Sequence, residues 1–113
     1  MTQQTDASEI KARHRKDWDR AAPRWRSFDE RLRRAGEPLT RRLLELAGIK
    51  RGQRVLDIAS GTGEPGLPAA EAVGPKGSVL LTDQSPEMLA VARDKALALG
   101  LANVEFRVCD AEA

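Results

Sequence analysis

Val55-Leu56-Asp57-Ile58-Ala59-Ser60-Gly61-Thr62-Gly63-Glu64 decides how this chain is read. A short apolar run carries one carboxylate and then breaks at two glycines. Val55, Leu56, Ile58 and Ala59 surround Asp57 without alternation, the pattern of a central parallel strand covered on both faces. Gly61 and Gly63 lack a Cβ where the backbone must turn sharply and where a ligand can come close. Strand, glycine turn and following helix predict a nucleotide-type crevice at the carboxyl end of a strand.

Downstream, Glu64 to Val73 reads as a helix whose first turn is irregular, because Pro65, Gly66 and Pro68 crowd it. Gly74-Pro75-Lys76-Gly77 is a turn. Ser78 to Thr82 reads as a second buried strand with Asp83 at its carboxyl end. Ser85-Pro86-Glu87 combines a cap, a first-position proline and a first-turn acid, opening a helix to about Leu99 that Gly100 closes. Asn103 to Cys109 is a third strand. Its Val104, Phe106 and Val108 alternate with Glu105, Arg107 and Cys109, which predicts an exposed face or an edge position. Asp110 follows.

Upstream, residues 1–7 are expected to fray. Three helices are then predicted. The first starts at Ser8 as N-cap and ends near Ala22. Pro23 opens the second, which carries Trp25, Phe28 and Leu32 and closes near Gly36. The third runs from Pro38, with Leu39, Leu43, Leu44 and Leu46 inward, to Gly48. The chain thus divides into a helical lead-in, residues 1–48, and a strand–helix–strand–helix–strand unit, residues 49–113. Right-handed crossovers place the three strands parallel in the order third-second-first.

With 113 residues the chain has room for one domain and a modest core. Its charge is unevenly spread: residues 1–54 carry a net +7 and residues 55–113 a net −5. The basic half raises nucleic acid as a partner, but its cations are interleaved with acids and apolar stripes, as on solvated helices. A nucleic-acid partner is therefore disfavoured. Cys109 is the lone cysteine, so no intramolecular disulfide forms. No apolar run approaches the roughly 20 residues of a membrane span, and no secretory core opens the chain. The expectation is a cytoplasmic protein. His14 reads as a solvated surface residue, Cys109 as a small packing residue, and Trp18, Trp25 and Phe28 mainly as helix packing. No metal-ligand spacing occurs.

The chemistry lies in the acids. Asp57, Asp83 and Asp110 each sit in or at the end of a strand, with Glu64 just past the turn. Asp83 lies 20 positions beyond Gly63, the distance at which an acid meets a ribose diol. Gly61-Thr62-Gly63-Glu64-Pro65-Gly66 nominally satisfies the dinucleotide fingerprint. A pyrophosphate, however, wants bare N–H groups and no competing anion. Asp57 and Glu64 flank this turn, which favours a ligand with a ribose and a cationic end.

S-adenosylmethionine has that chemistry, and the three motifs resemble those of the class I, seven-strand S-adenosylmethionine-dependent methyltransferases. Val55 to Gly63 is similar to their first motif, Leu81-Thr82-Asp83-Gln84-Ser85-Pro86-Glu87-Met88-Leu89 to their second, and Gly100 to Val104 leading to Asp110-Ala111 to their third. The wording is most similar to the ubiquinone/menaquinone-biosynthesis C-methyltransferase branch, over about residues 40–113. The resemblance implies an α/β, Rossmann-like parallel sheet preceded by helices, with strands 1–3 of seven present. It implies that Ala59, Ser60, Gly61, Thr62 and Gly63 bind the cofactor, Gly61 and Gly63 letting the backbone approach the methionine moiety, and that Asp57 orients the turn and receives the ammonium directly or through water. Asp83 would take the ribose, Gln84 or Met88 would border the adenine, and Asp110 with the Ala111 amide would read its edge. Many members have glycine where this chain has Ala59.

The fourth strand of such a sheet, which pairs with the first, is missing, as are the strands that shape an acceptor pocket. The expectation is therefore a donor-binding fragment or truncated form, completed by a C-terminal half or by a homodimer. Its reaction class is methyl transfer to a small-molecule carbon, oxygen or nitrogen. The alternatives are an inert or partner-dependent binding module and an NAD-dependent oxidoreductase. No catalytic residue is assigned.

Overall fold

The computed structural model describes residues 6–112. The expected fraying of residues 1–7 lies, for residues 1–5, outside that range. The elements in order are α1 (Ala7–Leu46), β1 (Arg54–Ile58), α2 (Gly66–Val73), β2 (Ser78–Asp83), α3 (Pro86–Ala98) and β3 (Val104–Val108). The strands form one parallel sheet in the order β1-β2-β3, as expected.

The predicted three-helix lead-in is instead a single 40-residue helix, with Pro23 and Pro38 inside it. An internal proline removes one hydrogen bond and costs about 3 kcal/mol in isolation. Tertiary contact outweighs that here. Ala21 and Ala22 pack on Met88 and Val91 of α3 just before Pro23. Leu44 packs on the main core beyond Pro38. Gly36, expected to stop a helix, lies within α1. The N-cap is Asp6 rather than Ser8, and Asp6 accepts the Ser8 N–H (3.1 Å).

The glycine stops at Gly48 and Gly100 are as expected. Gly48 has φ +69, its N–H reaches the Glu45 carbonyl, and the Ile49 N–H reaches Leu44. Gly100, at φ +70, repeats the pattern after α3, with Leu101 bonded to Ala96. Both are Schellman caps, and the residue after each glycine packs on the core beside the helix it closes.

The core sits between the sheet and α2/α3. Leu67, Ala70 and Val73 of α2 and Leu89 and Ala96 of α3 cover Val79 and Leu81, with Val55, Val104 and Phe106 beside them. β1 stands at the sheet edge, as the missing fourth strand implies, but the expected covering of both its faces is not met: Leu56 and Ile58 are 57% and 56% exposed. Both helices lie on the sheet face that carries Val55 and Asp57, and the opposite face of β1 leaves Leu56 and Ile58 largely exposed, Ile58 toward the cleft described below. Among those residues no helix is long and apolar enough to cross a membrane.

Candidate functional site

Parallel register brings the carboxyl ends of all three strands side by side: Ile58 lies opposite Thr82, and Asp83 opposite Val108. The chain leaves β1 through three left-handed residues, Ala59 (φ +56), Gly61 (φ +54) and Gly63 (φ +107). The Ser60 N–H donates to the Thr82 carbonyl (2.9 Å), and the Gly63 N–H to Ser60 (2.9 Å), which folds the turn back over β2. A Cβ on Gly63 would stand 2.8 Å from Leu67, whereas one on Gly61 would face open space. Gly63 is thus needed for packing, and Gly61 leaves its backbone bare toward the cleft.

Ala59 carries the strain of this turn. A side chain in the left-handed region costs roughly 1–2 kcal/mol, whereas glycine adopts it freely. Ala59→Gly is expected to raise the unfolding free energy by about 0.5–1 kcal/mol, part of the relief being lost to glycine's greater unfolded-state entropy. Urea unfolding checks it, and a lower midpoint would show that Ala59 is not strained.

Asp83 organises the ends. Its Oδ2 accepts the Gly61 N–H (2.9 Å) and its Oδ1 the Ser85 N–H (2.9 Å), tying the turn after β1 to the start of α3. Ser85 caps α3 by accepting the Met88 N–H (3.1 Å), and its hydroxyl donates to Asp19 of α1. At the β3 end, Lys11 of α1 reaches Asp110 (2.7 Å) and Glu112 (2.9 Å). The Lys11 ammonium, helped by the Glu112 N–H, holds the Asp110 carboxyl below its ordinary range. The N-terminal half of α1 is thereby laid across the strand ends and encloses a cleft of about 590 Å³.

Of the residues expected at the site, Ala59, Ser60, Gly61, Thr62, Asp83, Gln84, Met88, Asp110 and Ala111 line this cleft. Gly63 and Asp57 do not. Asp57 points beneath the turn, where a Cβ on Gly66 would stand 2.6 Å from its Oδ2. That oxygen and the Ser60 hydroxyl are buried without a hydrogen-bond partner. Burial, with repulsion from Asp83, pushes the Asp57 carboxyl up to about 6 against the pull of the Gly66 N–H. Burial also raises Glu64, which lines the cleft.

The other wall is α1, through Lys11, His14, Trp18, Trp25, Asp29 and Leu32. Trp18 and Trp25 were expected mainly as packing residues, yet they are 44% and 42% exposed and face the cleft. Breaking the helix at Pro23 hid this face, because positions 11, 14, 18, 25, 29 and 32 fall on one stripe only if α1 is continuous. His14 is exposed as expected, but it too borders the cleft. Cys109, expected to pack, is exposed beyond the end of β3, with its N–H bonded to the Asp83 carbonyl (3.0 Å).

A family model described as a methyltransferase domain matches residues 49–113. The chain belongs to the methyltransferase-domain family. The ubiquinone/menaquinone biosynthesis C-methyltransferase UbiE of Azotobacter vinelandii is 51% identical over 70 residues, 61% of this chain. Those residues span 28% of that relative's length. Among solved structures, an S-adenosylmethionine-dependent methyltransferase from Aquifex aeolicus superposes with TM-score 0.57 at 36% identity, covering 63% of this chain and 38% of that one. An RNA methyltransferase from Salinibacter ruber, in complex with S-adenosyl-L-homocysteine, gives 0.59 at 32%, covering 65% and 47%. These neighbours share the Rossmann-like sheet, so the fold expected from the motifs holds for this methyltransferase domain.

Proposed function

We propose that residues 49–113 form the donor-binding part of an S-adenosylmethionine-dependent methyltransferase that acts on a small molecule, with residues 1–48 as the wall that closes over the donor. The observation that carries this reading is the pair of strand-end carboxylates, Asp83 and Asp110, on one cleft beside the bare Gly61 backbone. The fit to the donor rests on the same features. A carboxylate with both oxygens already fixed by backbone N–H groups retains lone pairs for two ribose hydroxyls. The partnerless Asp57 and Ser60 oxygens under the turn supply negative and polar groups near a cationic end. When bound, S-adenosylmethionine supplies an electrophilic methyl group on a sulfonium. Asp83 and Asp110 would hold its adenosine, Gln84 and Met88 would border the adenine, and α1 would exclude water through Trp18 and Trp25. Methyl transfer depends largely on such alignment of donor and acceptor.

A second reading, a donor-binding module that works only with a partner surface, is favoured by the uncovered Leu56 and Ile58 on β1. Calorimetry with S-adenosylhomocysteine and NAD side by side tests the ligand. S-adenosylhomocysteine is expected to bind and NAD is not, because acids flank the turn where a pyrophosphate would lie. Binding of NAD alone would sink the proposal.

A further inference from the structure

Lys95 lies in the last turn of α3, where a lysine is ordinarily explained by the carbonyls of the helix end, with its ammonium in water. Here its side chain is only 15% exposed. Its Nζ is 2.6 Å from Asp29 Oδ1 and 2.9 Å from the Thr62 carbonyl oxygen. Asp29 belongs to α1, and Thr62 stands between the two glycines of the turn. Among the described residues no other hydrogen bond or ion pair links α1 to that turn. The remaining anchors of α1 go elsewhere: Lys11 to the β3 end, Asp19 to the start of α3, and Arg26 to Asp94. The Lys11 and Arg26 pairs are well exposed and open to screening by salt, whereas the Lys95–Asp29 pair is largely shielded.

We propose that Lys95 is a positioning residue that couples the seating of α1 over the cleft to the conformation of the glycine turn. With α1 down, Asp29 fixes the ammonium, and the ammonium in turn holds the Thr62 carbonyl away from the cleft so that the Gly61 backbone is presented to a ligand. With α1 lifted, Lys95 loses its counter-charge and the turn loses its tether. By linkage, a ligand on the turn must also favour the seated helix, and by the same factor. The ligand half of this inference rests on the donor-site reading above.

The test uses the full chain and its two tryptophans, Trp18 and Trp25, which both lie on α1 and both face the cleft. Their emission therefore reports seating without any ligand. Lys95→Met is expected to red-shift that emission, speed hydrogen exchange at the Gly61 to Gly63 amides, and weaken S-adenosylhomocysteine about tenfold, the size of a typical coupling between sites. Asp29→Asn, at a residue that reaches the turn only through Lys95, should produce the same three changes in smaller measure. Lys95→Arg should restore all three, since a guanidinium can serve both oxygens. The Lys95→Met/Asp29→Asn double variant should be no worse than Lys95→Met alone. Unchanged emission in Lys95→Met would overturn the proposal. So would an Asp29→Asn variant whose emission shifts while its turn exchanges as in the wild type. If Lys95→Met does not fold, Asp29→Asn and Lys95→Arg decide by the same readouts. Should the wild type bind no S-adenosylhomocysteine, the donor reading fails, and emission and exchange still decide the coupling.

Discussion

Asp83→Ala is expected to weaken binding of S-adenosylhomocysteine about a hundredfold or more while leaving the far-ultraviolet helical signal intact. Hydrogen bonds to a charged partner are worth about 1.5–3 kcal/mol each, and about 1.4 kcal/mol is a factor of ten in affinity. Losing two ribose contacts therefore accounts for the hundredfold. The substitution also frees the Gly61 and Ser85 N–H groups that the carboxylate now holds, so the turn loses its shape along with its ligand. Helical content resists the change, because α3 keeps its Ser85 cap and α1 keeps Asp19 on that cap. Asp83→Asn, with one acceptor oxygen left, should fall between. Calorimetry reads all three proteins, and wild-type affinity in Asp83→Ala would remove Asp83 from the site.

Asp57 sets the second large effect, and its sign is opposite for stability and for binding. Its carboxyl is pushed up to about 6 in the folded chain, against about 4 when unfolded. Between those values the folded state holds the proton that the unfolded state has released, so stability falls as pH rises from about 4 to 6. At neutral pH the ionised group costs about 1–3 kcal/mol, since each tenfold change in proton affinity is worth about 1.4 kcal/mol and partial exposure to solvent lowers the total. Asp57→Asn should recover that stability at pH 7 and remove that part of the slope. A cationic ligand end near the turn instead favours the ionised form. Wild-type affinity for S-adenosylhomocysteine should then drop as pH falls below about 6, by up to about tenfold for each pH unit, and Asp57→Asn should bind weakly at every pH. Urea midpoints and calorimetry across pH 4–8 test both halves. Parallel stability curves for the two proteins would refute the buried-carboxylate account, and a pH-independent wild-type affinity would separate Asp57 from the ligand.

The cost at Asp57 is maintained by the fold. Gly66 and Leu81 close over the carboxylate, and a Cβ at position 66 would stand 2.6 Å from it and 2.7 Å from Leu81. The sequence showed an acid in an apolar run. Only packing showed that this acid lies under the turn rather than in the cleft.

Much of the β/α unit was legible because its signals are local. Two glycines just past their helices, a Ser-Pro-Glu start and acids at strand ends each act within a few residues. Gly48, Gly100 and Ser85 do in the structure what those rules require. The lead-in was misread because the proline rule is also local, while the forces that override it at Pro23 and Pro38 come from α3 and the core, tens of residues away in sequence. The same blindness hid Lys11, Asp19, Asp29 and Lys95, whose partners all lie 33 or more positions away along the chain.

By itself, then, the sequence determined the parallel β/α unit, its caps, and the three acids in or just past its strands, since each depends on spacing and backbone chemistry alone. Tertiary structure decided that α1 is one helix, that its tryptophans wall the cleft, that Asp57 is buried while Asp83 and Asp110 line the cleft, and that one face of β1 is left exposed. Those outcomes depend on which surfaces meet across the chain. Contacts between distant residues, and the desolvation they impose, are not written in any local pattern.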